Sequence, residues 1–237
     1  PAGTSAGSTT IGVSASTGAT LRIISNNGSA PNLTIPEVIT INGTGSIANE
    51  GAIRNTTGIN IFSGNITLGN TSTIVSTGSS ASGDSLIFSN GTLSLVSYVL
   101  TVNTNRGARL GNNGVTANQI NSTATTSGIT KIGTDTLVMS GSNNYTGGTN
   151  VNEGVISIKN ATALGLGSAA STSNTVVADG AALYVVGSGF TIPEYITING
   201  TGKSNNGVIW IPSTSGATTL SGVITANTGT ASRINND

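Results

Sequence analysis

Apolar side chains recur at every second position in short runs along this chain. The pairs are Leu21 and Ile23, Ile39 and Ile41, Ile59 and Ile61, Ile66 and Leu68, Leu93 and Leu95, Leu137 and Met139, Ile156 and Ile158, Leu183 and Val185, Ile196 and Ile198, and Ile209 and Ile211. A period of two alternates side chains between the faces of an extended backbone, so each run predicts a short strand. Between the runs lie Asn-Gly, Gly-Asn, Ser-Gly and Gly-Gly pairs, which supply the positive φ that tight turns need. No helical period intervenes, and the strands return every ~8–12 residues, which leaves a sandwich, a barrel or a β-solenoid.

An internal repeat selects among these. TIPEVITINGTG, starting at Thr34, returns as TIPEYITINGTG at Thr191, a distance of 191 − 34 = 157 residues with one change, Val38 to Tyr195. VSASTGATLRI (Val13 to Ile23) precedes the first copy and VVADGAALYVV (Val176 to Val186) the second, and looser matches follow both. The block therefore runs over 13–169, with a partial second copy over 170–237. Self-similarity at a long period marks a stacked architecture, which lengthens by duplication because each unit touches only its neighbours. The expectation is an all-β fold, a single continuous β-solenoid over 1–237 with about ten coils at ~20–25 residues per turn. Both ends fall inside a period, so the chain reads as a piece of a longer repeat protein. Pro36 and Glu37 recur as Pro193 and Glu194; a residue copied by duplication reads as support for a repeated turn rather than as a catalyst.

The stretch from Lys131 to Gly165, KIGTDTLVMSGSNNYTGGTNVNEGVISIKNATALG, resembles the passenger-associated transport repeat (autotransporter-associated β-strand repeat) of bacterial autotransporter passengers. The resemblance rests on Gly133, Thr136, Leu137, Ser140, Gly141, Asn144, Tyr145, Thr146, Gly147, Gly148, Thr149, Val151 and Gly154, while Asp135 stands where the pattern carries Gly. It implies a right-handed parallel β-helix on the outside of a Gram-negative-type cell, and it implies no single activity. In TLVMS, Leu137 and Met139 should face one way and Val138 the other, and Asn side chains at turns should ladder between stacked coils.

Composition sharpens this picture by exclusion. Gly, Ser, Thr and Asn form about half of the chain, which disfavours long helices. Disorder is disfavoured by a hydrophobic fraction of 35%, only 7% charged residues, net charge +0 and mean hydropathy +0.15. Eight basic residues balance eight acidic ones without a basic stripe, so no nucleic-acid partner is expected. Nothing approaches a membrane helix, and 3% aromatic residues cannot supply the girdles of a membrane barrel, so no membrane insertion of this segment is expected.

Candidate chemistry is sparse. There is no His and no Cys, which removes the usual Ser-His-Asp, Cys-His and His-zinc arrangements. The acids Glu37, Glu50, Asp84, Asp135, Glu153, Asp179, Glu194 and Asp237 stand at least 13 residues apart in sequence. No catalytic residue, metal site or cofactor is expected, and the chain does not read as an enzyme. Eleven Asn-x-Ser/Thr sites are no more than Asn and Ser/Thr abundance accounts for. The Thr runs at 71–73, 123–126 and 228–230 are too irregular to favour an ice-binding face, and Tyr145, Tyr184, Tyr195 and Trp210 are few for a carbohydrate platform. Trp210 should face outward if Ile209 and Ile211 face inward. The expectation is an extracellular structural or adhesive repeat protein acting by rigid, multivalent display, as a stalk, filament or adhesin passenger. Its expected partners are like copies, end to end or side by side, or surface glycans or proteins. The alternatives are a self-assembling filament or sheath subunit and a carbohydrate- or ice-binding β-helix.

Overall fold

A computed structural model of the chain describes residues 9–12, 18–24, 31–47, 50–77, 85–105, 108–110, 120–166, 174–227 and 231–236. Asp84, Asp237, the Thr228–Thr230 run, the start of VSASTGATLRI and the block boundaries at 13, 169 and 170 lie outside the described residues. Among the described residues there is no α-helix, and every strand pair is parallel. The strands stack into a three-faced β-solenoid, with two or three strands in each turn.

One turn shows the plan: Ile39–Gly43 lies on the first face, Ile53–Thr57 on the second and Ile59–Phe62 on the third. The third face is a sheet nine strands deep, from Pro31–Ile35 to Ile234–Asn236. At ~4.8 Å per strand its eight intervals span about 38 Å. The first and second faces join at the eleven-residue strand Ile66–Ser76, which runs over the corner. Its start pairs with Ile39–Ile41, and its end with Ile53–Asn55 and Leu100–Thr104.

Stacking builds columns of like side chains. On the first face Ile39, Ile66, Leu93 and Ile120 lie in register. All four are buried. On the second face the column runs Ile53, Ile74, Val102, Lys131, Val151, Val177, Ile198 and Ala226. Seven steps from Ile53 to Ala226 average about 25 residues per turn. Leu137 and Met139 face the core while Val138 is half-exposed. Ile209 is buried and Trp210 half-exposed, its ring edge-on to Tyr184 of the preceding turn at 4.6 Å.

The pattern at Ile59–Phe62 runs opposite to its apolar pair. Ile59 and Ile61 are half-exposed, while Asn60 and Phe62 point inward. Phe62 stacks on Phe88 of the next turn, ring centroids 5.4 Å apart. Asn60 Nδ2 donates to Asn55 Oδ1 at 2.6 Å and to Thr57 O at 2.8 Å, so the inward amide gives up its solvent with donors satisfied.

Asparagine side chains bridge turns, through an Asn-to-Asn rung and through main-chain groups rather than as a continuous ladder. Asn227 Nδ2 donates to Asn199 Oδ1 at 2.6 Å, and Asn199 Nδ2 to Val177 O at 2.8 Å. Asn143 ties three turns together: Ile120 N donates to its Oδ1 at 2.9 Å, and its Nδ2 donates to Ala163 O at 2.6 Å.

The two copies of the twelve-residue stretch fold alike. Thr9 N donates to Val38 O at 2.9 Å, and Thr175 N donates to Tyr195 O at 2.8 Å. Ser63 N and Ser221 N donate to Ile35 O and Ile192 O, each at 2.9 Å. Gly64 sits under the Glu37 carbonyl and Gly222 under that of Glu194, where a Cβ would come within 2.0 and 1.9 Å of the oxygen. Yet the copies occupy different faces. Ile39–Ile41 belongs to the first-face column, whereas Ile196–Ile198 continues the second-face column that passes through Ile53. The 157-residue block therefore spans six turns and one further face.

Candidate functional site

The motif segment places polar groups inside the stack. Lys131 occupies a core position between Val102 and Val151, fully shielded from solvent. Its Nζ donates to Ile132 O at 2.8 Å, Gly133 O at 2.6 Å and Glu153 O at 3.1 Å. A buried cation is tolerated where polar oxygens replace water. Burial, reinforced by Lys203, lowers its pKa from 10.5 to about 8.

The glycines around the ammonium are dictated by this cage. Gly133 and Gly154 have φ of +82° and +69°, a region costly for residues with a Cβ. A Cβ on Gly154 would lie 2.4 Å from Gly133 O and 2.9 Å from Lys131 Nζ. Glu153 completes the clamp, its Oε2 accepting from Gly133 N at 2.9 Å. Asp135, the departure from the motif, turns its carboxylate onto the Thr136 amide at 2.7 Å.

Tyr145 crosses the core one turn on. It is fully buried and shares a 2.6 Å hydrogen bond with the equally buried Thr149 hydroxyl. Burial pushes its hydroxyl pKa far up, so the phenol stays neutral. Between these two residues, Gly147 passes so close to the preceding turn that a Cβ would sit 1.4 Å from Ser127 O, and Gly148 stacks on Gly128. Gly165, closing the segment, leaves room for the Tyr145 ring and carbonyl. Leu137, Ser140 and Gly141 are buried, Thr136 half-buried and Asn144 exposed; the Asn144 amide donates to Ile120 O at 3.0 Å.

The polar chain continues toward the second copy. Thr149 is in register with Thr175, also buried, and Thr175 Oγ1 donates to Glu194 Oε1 at 2.8 Å. Glu194 is 3% exposed, and burial raises its carboxyl from 4.5 to about 7, against the lowering effect of the Thr175 hydrogen bond. Its repeat equivalent, Glu37, is half-exposed, and the paired strand Thr9–Ile11 buries only Ile11.

The structure thus brings Tyr145, Thr149 and Glu194 together with Thr175, and holds Lys131 in the neighbouring column two residues along the strand; sequence reasoning left out both Thr175 and Lys131. The alternation of Ile129 and Lys131 held the only signal for Lys131; its oxygens come partly from residue 153, beyond any local pattern. Pro36–Glu37 and Pro193–Glu194 are not brought together: six turns and one face separate them, about 29 Å along the rod. That is out of reach of one glycosidic bond, where two carboxylates stand within ~10 Å.

Residues 129–158 match the family model described as passenger-associated-transport-repeat. No curated protein and no solved structure gives a match. The matched segment and the parallel solenoid together fit a repeat of an autotransporter passenger.

Proposed function

We propose that this chain is a rod-forming part of an autotransporter passenger that works outside a Gram-negative-type cell as a stiff stalk or adhesin surface. The observation that carries this reading is the uninterrupted parallel stack threading the matched repeat, with turns on both sides of it in register. In such a rod the main-chain hydrogen bonds run along the axis, so extension must break them in series. Each turn presents similar outward positions, so weak contacts to glycans, proteins or neighbouring rods add through multivalency. Nearly balanced charge lets rods approach laterally without strong repulsion.

The test is surface exposure in the native host. An antibody to the Ser188–Pro193 corner should label intact cells, external protease should remove the epitope, and deleting the chain in frame should lower adhesion to a glycan- or protein-coated surface or to sister cells. An epitope reached only after cell lysis refutes the display reading. Labelled cells with unchanged adhesion refute the adhesive role and leave the stalk.

A further inference from the structure

We propose that the interior chain Tyr145–Thr149–Thr175–Glu194 is a proton-operated latch between neighbouring turns, closed with Glu194 protonated and loosened when it ionises. The geometry is a buried ladder with one ionisable end. Tyr145 and Thr149 are joined at 2.6 Å, Thr175 lies in register on Thr149, and Thr175 Oγ1 reaches Glu194 Oε1 at 2.8 Å. All four side chains are buried.

Among the described residues no cation stands ready to neutralise the carboxylate. The segments packed around it are Asn143–Val151 and Asn174–Ala178 on one side and Ser221–Ala226 on the other. They contain no Lys, Arg, Asp or further Glu. Tyr145 is the one other titratable group they turn toward it, and Tyr195, its neighbour on the same segment, is half-exposed. Ionisation therefore places an unpaired negative charge in the core, relieved only by opening the turn to water. Glu37, its repeat equivalent, is half-exposed, so the duplication yields one buried and one half-exposed carboxyl.

The sign follows from linkage. The folded carboxyl at about 7 lies above its unfolded value of 4.5, so the latch is fully engaged below pH 4.5 and its contribution is lost as pH rises through 7. An opening that exposes Glu194 becomes about 30-fold more populated between pH 5.5 and 8.5.

The test uses the 237-residue chain. Hydrogen exchange, corrected for intrinsic rate, is read by mass spectrometry over 174–178 and 195–199 and referenced to 99–104. Protection of the two latch segments should fall relative to the reference between pH 5.5 and 8.5, and Glu194→Gln, which keeps the acceptor without the charge, should flatten that fall. Infrared spectroscopy supplies a readout independent of variant folding: at pH 6 wild type should show a protonated-carboxyl band that Glu194→Gln lacks. Thr175→Val removes the hydrogen bond that favours the ionised form and should move the loss of protection to higher pH. A wild-type chain without the protonated band at pH 6 overturns the proposal, as does an equal fall of protection in wild type and Glu194→Gln.

Discussion

Replacing Tyr145 by phenylalanine removes one oxygen atom from the interior and leaves the ring that fills the turn. The cost can be worked from the partner left behind. Thr149 Oγ1 is bonded to the phenol at 2.6 Å and has no solvent to fall back on, since both residues are fully buried. An unpaired buried hydroxyl costs ~1–3 kcal/mol, so Tyr145→Phe should destabilise the chain by about 2 kcal/mol. Thr149→Val, which keeps the shape and deletes the other partner, should cost a similar amount through the orphaned phenol. The double variant should cost less than the sum, because removing both members of a buried pair is nearly neutral. Urea titration followed by far-ultraviolet circular dichroism measures each variant, with the single Trp210 as a second probe lying beyond the Thr175 turn. Coincident transitions validate a two-state treatment, which a stacked chain does not guarantee. Full additivity, or a cost of Tyr145→Phe below ~0.3 kcal/mol, would refute the reading of this pair as a coupled staple.

Gly147→Ala should cost more than ~4 kcal/mol or unfold its turn, because the new Cβ meets the Ser127 carbonyl at 1.4 Å, whereas Gly180→Ala meets nothing within 4 Å and should cost only the ~1–2 kcal/mol of its positive φ; thermal melts distinguish them. Lys131 is held at about 8 against 10.5 unfolded, so wild-type stability should rise as pH climbs from 8 toward 10.5, and urea midpoints of Lys131→Met should show no such rise, from a lower baseline set by carbonyls that have lost their donor. Truncating Trp210 to Ala should cost at most ~1.5 kcal/mol, since its edge contact with Tyr184 lies on a half-exposed face; a larger loss in urea titration would mean that this face is covered.

Much of the fold is legible because parallel stacking repeats local rules. Period two at Leu137 to Met139 or Ile209 to Trp210 fixes which side chain meets the core, and the glycines of the motif mark the places where adjacent backbones touch. The interior polar column is harder to read. Lys131, Thr149 and Thr175 stand at inward positions of their strands, where alternation alone predicts apolar residues, and their hydrogen-bond partners lie 1 to 22 residues away. Asn60 repeats the lesson, displacing Ile59 and Ile61 to the outside because Phe62 has Phe88 to stack on. Glu37 and Glu194, which share the TIPE context and differ only in the next residue, Val38 against Tyr195, differ in burial because they stand on different faces. Nor does the repeat announce its own orientation: azimuth depends on the summed length of every corner, and a turn takes 20 residues between Lys131 and Val151 but 29 between Val102 and Lys131.

That leftover third of a turn has geometric reach. Successive copies of such a block are related by a screw operation rather than by simple translation. A chain extended by further copies would advance six turns and rotate one face each time, regaining its starting azimuth at the fourth. Any feature carried by the Pro-Glu corner would then wind around the rod and meet targets on every side, while a block of whole turns would confine it to one edge.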